Sequence, residues 1–399
     1  MPDIDPELYA DDSSQRLAAL TRLRQQHPRP AAQGTNTHVH TNYSFSAFRS
    51  PAEAAWLAYE SGVEVFGIND HYTVDGHKEF AQSCQALGIA ATFSIEAVGM
   101  DQEAAQEGVL LNDPGNPGRI YLCGKGISDA RNTTAAAMLA TLRSYQSDRN
   151  RAMLELVQQR FQRLLEENGP QWEEIEEQTP LGNTTERHIA RAIYHHLQRG
   201  SYSQRYTTLI GSEPSGDAAQ DQNAIRGALL KAGKPCYVRE APEAYPALSA
   251  LRGLYLKLGA IPTYPVLGNP ITGGEEDIEA LFERLARWGI HAVELIPHRN
   301  TDDRVAAVIA AASARGWPVF DGTEHNTPVL DPLLTRWGSD PRFRPVFREG
   351  ALVLLGHQSL RASKLDGYVD SDGKPCSDGY QRCLAAGEEV LERANTCVA

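Results

Sequence analysis

Eight short apolar runs, separated by helical stretches, constrain the fold of this chain more than any other feature. They are Thr-His-Val-His at 37–40, Val-Glu-Val-Phe-Gly-Ile at 63–68, Ala-Thr-Phe-Ser-Ile at 91–95 and Ile-Tyr-Leu-Cys at 120–123. The series continues with Ala-Ile-Pro-Thr-Tyr at 260–264, Ala-Val-Glu-Leu-Ile at 292–296, Trp-Pro-Val-Phe at 317–320 and Ala-Leu-Val-Leu-Leu at 351–355. Runs of this length read as buried strands, and the spacing of apolar residues in 51–61, 275–288 and 302–315 reads as helix. Regular alternation of the two predicts a parallel sheet with helices outside it.

The residues at the end of each run narrow the expectation. His38 and His40 close the first, Asp70 and His71 come after the second, and Glu96 ends the third. Lys125 lies past the fourth, Tyr264 ends the fifth, and His298 comes after the sixth. Glu324 and His325 come after the seventh, and His357 after the eighth. In a β/α barrel the C-terminal strand ends share one rim, where the active site is built. Ionisable residues at nearly every strand end therefore predict a barrel with a site on that rim.

The rhythm breaks between about 130 and 240. An amphipathic helix at 149–165, a second at 186–197 and a polar passage at 211–223 read as a helical insertion. The expected organisation is an N-terminal helical extension over 1–33 and a discontinuous barrel over 34–130 and 240–360. A helical insertion over 131–239 interrupts the barrel, and a C-terminal loop and helix over 361–399 complete the chain.

Charge and cysteine content exclude some partners. The formal net charge of −13 argues against binding duplex nucleic acid, which needs a basic face, and leaves room for a small anionic substrate. No run approaches 18 apolar residues, so no membrane span is expected. The acidic start of the chain, Met-Pro-Asp-Ile-Asp-Pro-Glu, is unlike a secretory signal. The six cysteines form no Cys-x-x-Cys pair and read as free thiols of a cytoplasmic protein; only Cys376 and Cys383 stand close enough to keep a disulfide open.

On a strand, alternate residues share a face, so His38 and His40 reach one ion together. Alone the pair is weak, because a chain with this many histidines has one by chance about one time in three. Glu96 strengthens it: a carboxylate ending an apolar strand is costly unless paired or bound to metal. Histidines and carboxylates from several strand ends suit Zn, Mn or Fe.

Together these motifs resemble the PHP (polymerase and histidinol phosphatase) domain of metal-dependent phosphoesterases. The resemblance rests on residues 37–44, Ile-Asn-Asp-His at 68–71, Ser-Ile-Glu at 94–96, 259–265, Ala-Val-Glu at 292–294 and Gly-Thr-Glu-His at 322–325. Thr-Glu-Arg-His at 185–188 is similar to the helix that members with an insertion place over the site. The resemblance implies a distorted β/α barrel of about seven strands with up to three metals at the strand ends, which the departures of this sequence from the family reduce to one or two divalent ions. It implies metal ligands at His38, His40, Glu96, Glu324, His71 and His325. Asp70, His71 and Tyr264 are the expected acid–base groups, and Lys125, Arg187, His188, Tyr121 and His298 the expected substrate contacts. This sequence departs from the family at Phe45 and Ser46, and has Tyr121 and Tyr264 where histidines are usual. The leading expectation is phosphate-ester hydrolysis by metal-activated water. Two tyrosines in the site keep open metal-assisted hydrolysis or a lyase step on a non-phosphate substrate, and a non-catalytic binding module is the third reading.

Overall fold

A computed structural model describes residues 5–165, 169–296 and 299–396. Its centre is one seven-stranded sheet in sequential order. The strands are β1 Gly34–Val39, β2 Val63–His71, β3 Ala90–Met100, β4 Arg119–Lys125, β5 Ile261–Val266, β6 Val293–Leu295 and β7 Val319–Asp321. Seven of the eight predicted strands are thus present. The eighth, 351–355, lies inside the helix Arg344–Ala362. A continuous apolar run does not separate a buried strand from a buried helix, and here the long helical stretch on both sides decides.

The sheet closes where β7 returns to β1. Val39 bridges Glu324 in parallel, His38 O accepts from the amides of Thr323 and Glu324, and His40 N donates to Glu324 O at 2.7 Å. The Thr37 hydroxyl donates to Asp321 O and that of Thr35 to the Asp321 carboxylate. This return passes so close to β1 that a Cβ on Gly322 would stand 2.2 Å from the His38 Cβ, so only glycine fits.

One strand departs from the parallel plan. β4 is antiparallel to both β3 and β5, pairing Met100 with Arg119 and Ser94 with Lys125. The β3–β4 connection stays at the rim instead of crossing back, so β4 delivers its start to the rim and its end to the barrel interior. Arg119 and Tyr121 therefore stand at the site level, and Lys125 one layer below it.

Helices cover the outside. Pro51–Glu60 and His77–Leu87 pack with Ser13–Gln26 around a cluster containing Trp56, Phe66 and Phe80. On the opposite side, Leu248–Lys257 and Ile278–Arg287 enclose Tyr255, Phe282 and Trp317. The predicted helix at 149–165 is the second half of a longer one, Thr133–Leu165. With Glu186–Gln198 and Ala218–Leu229 it surrounds a separate cluster that includes Met153, Val157, Ile189, Ile193 and Ile225. Among the described residues, no helix is long and apolar enough to cross a membrane. Cys376 and Cys383 are free thiols.

Candidate metal centre

β1 and the residue after it place His38 and His40 side by side, fully buried beneath a cleft, and β3 brings Glu96, which lines that cleft, beside them. His38 Nε2 and His40 Nε2 are 3.2 Å apart, and Glu96 Oε2 is 3.7 Å from the first and 3.3 Å from the second. An ion with bonds of about 2.1 Å in tetrahedral array needs its donors about 3.4 Å apart. The three atoms already stand at that spacing.

The hydrogen bonds behind the triad fix which nitrogens carry lone pairs. Glu294 on β6 lies 2.8 Å from His38 Nδ1. Burial alone would raise the Glu294 pKa, but His38 and Lys125 hold it down at about 2, so its carboxylate is ionised and His38 Nδ1 is the donor. The Asn69 side-chain amide lies beside the same ring, 2.8 Å from Nε2 and 3.3 Å from Nδ1. On His40, Nδ1 faces the Ser44 hydroxyl at 3.4 Å, and that hydroxyl donates onward to Asp70 at 2.5 Å. Two imidazole lone pairs and the carboxylate oxygen Glu96 Oε2, which has no hydrogen-bond partner among the described residues, thus converge. Three acceptors facing one another in a buried place repel unless a cation lies between them. The donor set fits a divalent metal ion, with the outer carboxylates orienting the ligating imidazoles.

Around this triad the structure separates the residues that sequence grouped. His71 joins it: its Nδ1 is 3.5 Å from Glu96 Oε2, and its ring lies tilted against His40 with centroids 4.3 Å apart. Burial and the neighbouring His40 lower its pKa to about 3, leaving it neutral. Asp70 is buried behind His40, accepting from Thr41 and Ser44; burial, opposed by those bonds, raises it to about 6. Glu324 lines the cleft but ion-pairs with Arg299 and accepts from Asn326 at 3.3 Å, outside the close triad. His325 turns away, with Nδ1 against Thr323 Oγ1, Nε2 against Asp331 O and its ring on Phe48. The adjacency of Glu324 and His325 explains the split: both have positive φ, 62° and 56°, so their side chains leave a tight left-handed turn in different directions.

The expected substrate contacts divide in the same way. Arg187 and Tyr121 line the cleft. Lys125 does not; it lies fully buried below the triad, donating to Thr37 O and paired with Glu294, because β4 is antiparallel. Tyr264 is equally buried, its hydroxyl donating to Glu275 and accepting from Asn112 N, so it is no acid–base group of the cleft. His188 is the third residue of its helix, where Nδ1 caps the amide of Thr185 and the ring packs edge-on against Phe45. His298 lies outside the described residues. His357 sits on the helix Arg344–Ala362, bonded to Gly259 O and the Tyr368 amide.

The cleft encloses about 800 Å³ between barrel rim and insertion. Asn183 fastens the two, donating to Tyr43 O and His71 O. Phe45, one of the family departures, lies under the insertion helix, with Arg191 4.4 Å above its ring. Most cations of the insertion wall have a carboxylate partner: Glu186 is shared by Arg226, Lys231 and Arg149. The Arg187 guanidinium meets the Asn223 amide oxygen at 3.3 Å and, among the described residues, no carboxylate. Burial and Arg226 lower its pKa to about 9, so it stays protonated at neutral pH. Reasoning from sequence misses Arg299, Asn69 and the role of Glu294. Glu294 carries the signal that finds Glu96, a carboxylate within an apolar strand; Arg299 carries none.

Residues 36–200 match the PHP domain family, and the resemblance read from the motifs is thereby borne out. No curated protein matches the chain. Two solved structures share its fold. One, from Bifidobacterium adolescentis, is classed as a metal-dependent phosphoesterase; at 17% identity it gives a TM-score of 0.55 over 79% of this chain and 96% of its own. The other is an amidohydrolase from Chromobacterium violaceum with bound sulfate and no metal; at 18% identity it gives 0.53 over 75% of this chain and 93% of its own.

Proposed function

We propose that this protein is a metal-dependent hydrolase of phosphate esters of small molecules. The observation that carries the reading is a trio of converging donors, two buried histidines and the cleft-lining Glu96, opposite a cleft wall that presents Arg187, a guanidinium with no carboxylate partner among the described residues. A divalent ion held by His38, His40 and Glu96 supplies Lewis acidity and a water of lowered pKa. Arg187 offers charged donors to phosphoryl oxygens, fixing the ester between the two walls. His71, neutral and beside Glu96, lines the cleft next to the donors. The Tyr121 ring borders the same space. The sulfate in the Chromobacterium violaceum protein favours a tetrahedral oxyanion as ligand class. That protein's name, amidohydrolase, keeps a non-phosphate substrate as the second reading. Tyr264 no longer supports it, being engaged by Glu275 outside the cleft.

The test has two parts. Elemental analysis should find divalent metal in the purified protein and a large loss of it in a His38→Ala/His40→Ala variant. Protein loaded with Mn, Zn or Fe should release phosphate from a panel of phosphomonoesters and diesters. Metal retention without phosphate release from any of them overturns the phosphoesterase reading and leaves the amide-type substrate to be tried.

A further inference from the structure

Glu324 is at once close to the metal donors and withheld from them. Its backbone is bonded to His38 O and His40 N, on the two sides of Val39, and its side chain faces the cleft that His71 and Glu96 line. One oxygen of its carboxylate, Oε2, however, is held by Arg299 Nη2 and by the Asn326 amide. The left-handed backbone at Glu324 and at His325 is strained in a non-glycine residue, and it persists only where surrounding bonds over-determine it. Here those bonds tie the turn to the metal-binding strand, so the carboxylate is aimed at the rim.

Arg299 is the more accessible partner. Its side chain keeps 22% exposure within the cleft, against 5% for Glu324. It lines the same cavity as Arg187, so a tetrahedral oxyanion resting on the donor triad has two guanidinium groups within that cavity. A guanidinium binds a carboxylate and a phosphoryl group with the same pair of donors, so the two acceptors compete for it.

We propose that Arg299 is a displaceable counter-ion, which holds Glu324 off the metal donors until an oxyanion of the substrate replaces that carboxylate. Glu324 is then released to join His38, His40 and Glu96 as a further ligand. Substrate binding and metal binding are thereby coupled through one ion pair, and by linkage each strengthens the other. This deepens the phosphoester reading and rests on it for the identity of the oxyanion.

The experiment is titration of metal-stripped full-length protein with Mn²⁺, with and without inorganic phosphate. The expected result for wild type is an apparent Mn²⁺ affinity that rises about fivefold or more with phosphate. In Arg299→Met the affinity without phosphate should already be raised by a similar factor, and the phosphate effect should fall below about twofold. Adding Glu324→Gln to Arg299→Met should cancel the gain, since the freed carboxylate is its source. Thermal melting of the metal-free variants reports folding, and Arg299→Lys should restore part of the phosphate effect. An Arg299→Met variant that folds and binds Mn²⁺ with wild-type affinity and wild-type phosphate dependence overturns the exchange. Phosphate release from phosphomonoesters is read separately. Coupling without turnover sustains the exchange while refuting the phosphoesterase reading, and turnover without coupling does the reverse.

Discussion

The two walls of the cleft both carry charged groups and use them in opposite ways. On the barrel wall, charges are few, almost fully buried, and ordered in layers. Lys125 and Glu294 form a closed pair one layer down, and the donors of His38, His40 and Glu96 converge above it, with Glu96 at the cleft. On the insertion wall the charges are partly exposed and cross-paired, with Glu186 shared among three cations and Glu240 between two. Buried charges are costly to leave unmatched, so the barrel wall has one workable arrangement, whereas a partly wet network tolerates several. The barrel wall therefore fixes chemistry and the insertion wall is free to fix specificity.

The largest effect should come from breaking the buried pair. Lys125→Met leaves Glu294 ionised beside His38 without its cation, which costs about 3–5 kcal/mol for a fully buried partner. The variant should melt well below wild type and hold metal less tightly, because the carboxylate that orients His38 is no longer anchored. A Lys125→Met/Glu294→Gln double variant removes both charges and should recover a substantial part of the stability but not of the metal affinity. Urea unfolding and Zn²⁺ titration separate the two readouts. Equal metal affinity in the single variant and wild type would remove Glu294 from the orienting role.

The same contrast explains which parts of the site are readable from sequence. The strand–helix alternation and the His-x-His and Ser-Ile-Glu motifs locate the triad because strand periodicity alone points those side chains to one face. Lys125 is misplaced when every strand is taken to run toward the rim, since strand direction is a property of the connections. At β4 the connection stays on the rim and reverses the strand. Tyr264 misleads for another reason: at a strand end a phenol facing the cleft and one facing a structural carboxylate such as Glu275 look alike in sequence. Arg299 is invisible because it belongs to no repeated pattern, and its partner Glu324 lies on another strand end. Phe45 looks like a lost ligand and is a packing surface for the insertion helix.

On the insertion wall, Arg187 is the group whose loss should be felt by substrate alone. Removing one charged donor to a phosphoryl group costs about 1.5–3 kcal/mol, so Arg187→Ala should lower kcat/KM for a phosphate ester roughly 10- to 100-fold. Metal content and melting temperature should stay near wild type, since among the described residues Arg187 has no ion pair to lose. If metal content falls together with activity, the insertion wall contributes to the metal centre and the division between the walls is wrong.

The smallest effect belongs to Glu186, and it is read through pH. Burial pushes its pKa up, but Arg226, Lys231 and Arg149 outweigh that and bring it to about 2. A carboxyl whose folded pKa lies below its unfolded value stabilises the fold above the unfolded value, near 4.5, and loses that contribution as pH falls toward 2. Glu186 keeps some exposure, so solvent screening reduces its worth to about 1–2 kcal/mol at neutral pH. Glu186→Gln should therefore lower the urea midpoint at pH 7, and the gap from wild type should narrow between about pH 5 and 3. The insertion helices have their own apolar cluster, so the loss should appear first in probes of that cluster, such as Trp172 fluorescence, and later in the barrel. A gap that keeps its size down to about pH 3 would mean that Glu186 acts by packing, and the cations around it would then have to be held by other groups of the cleft.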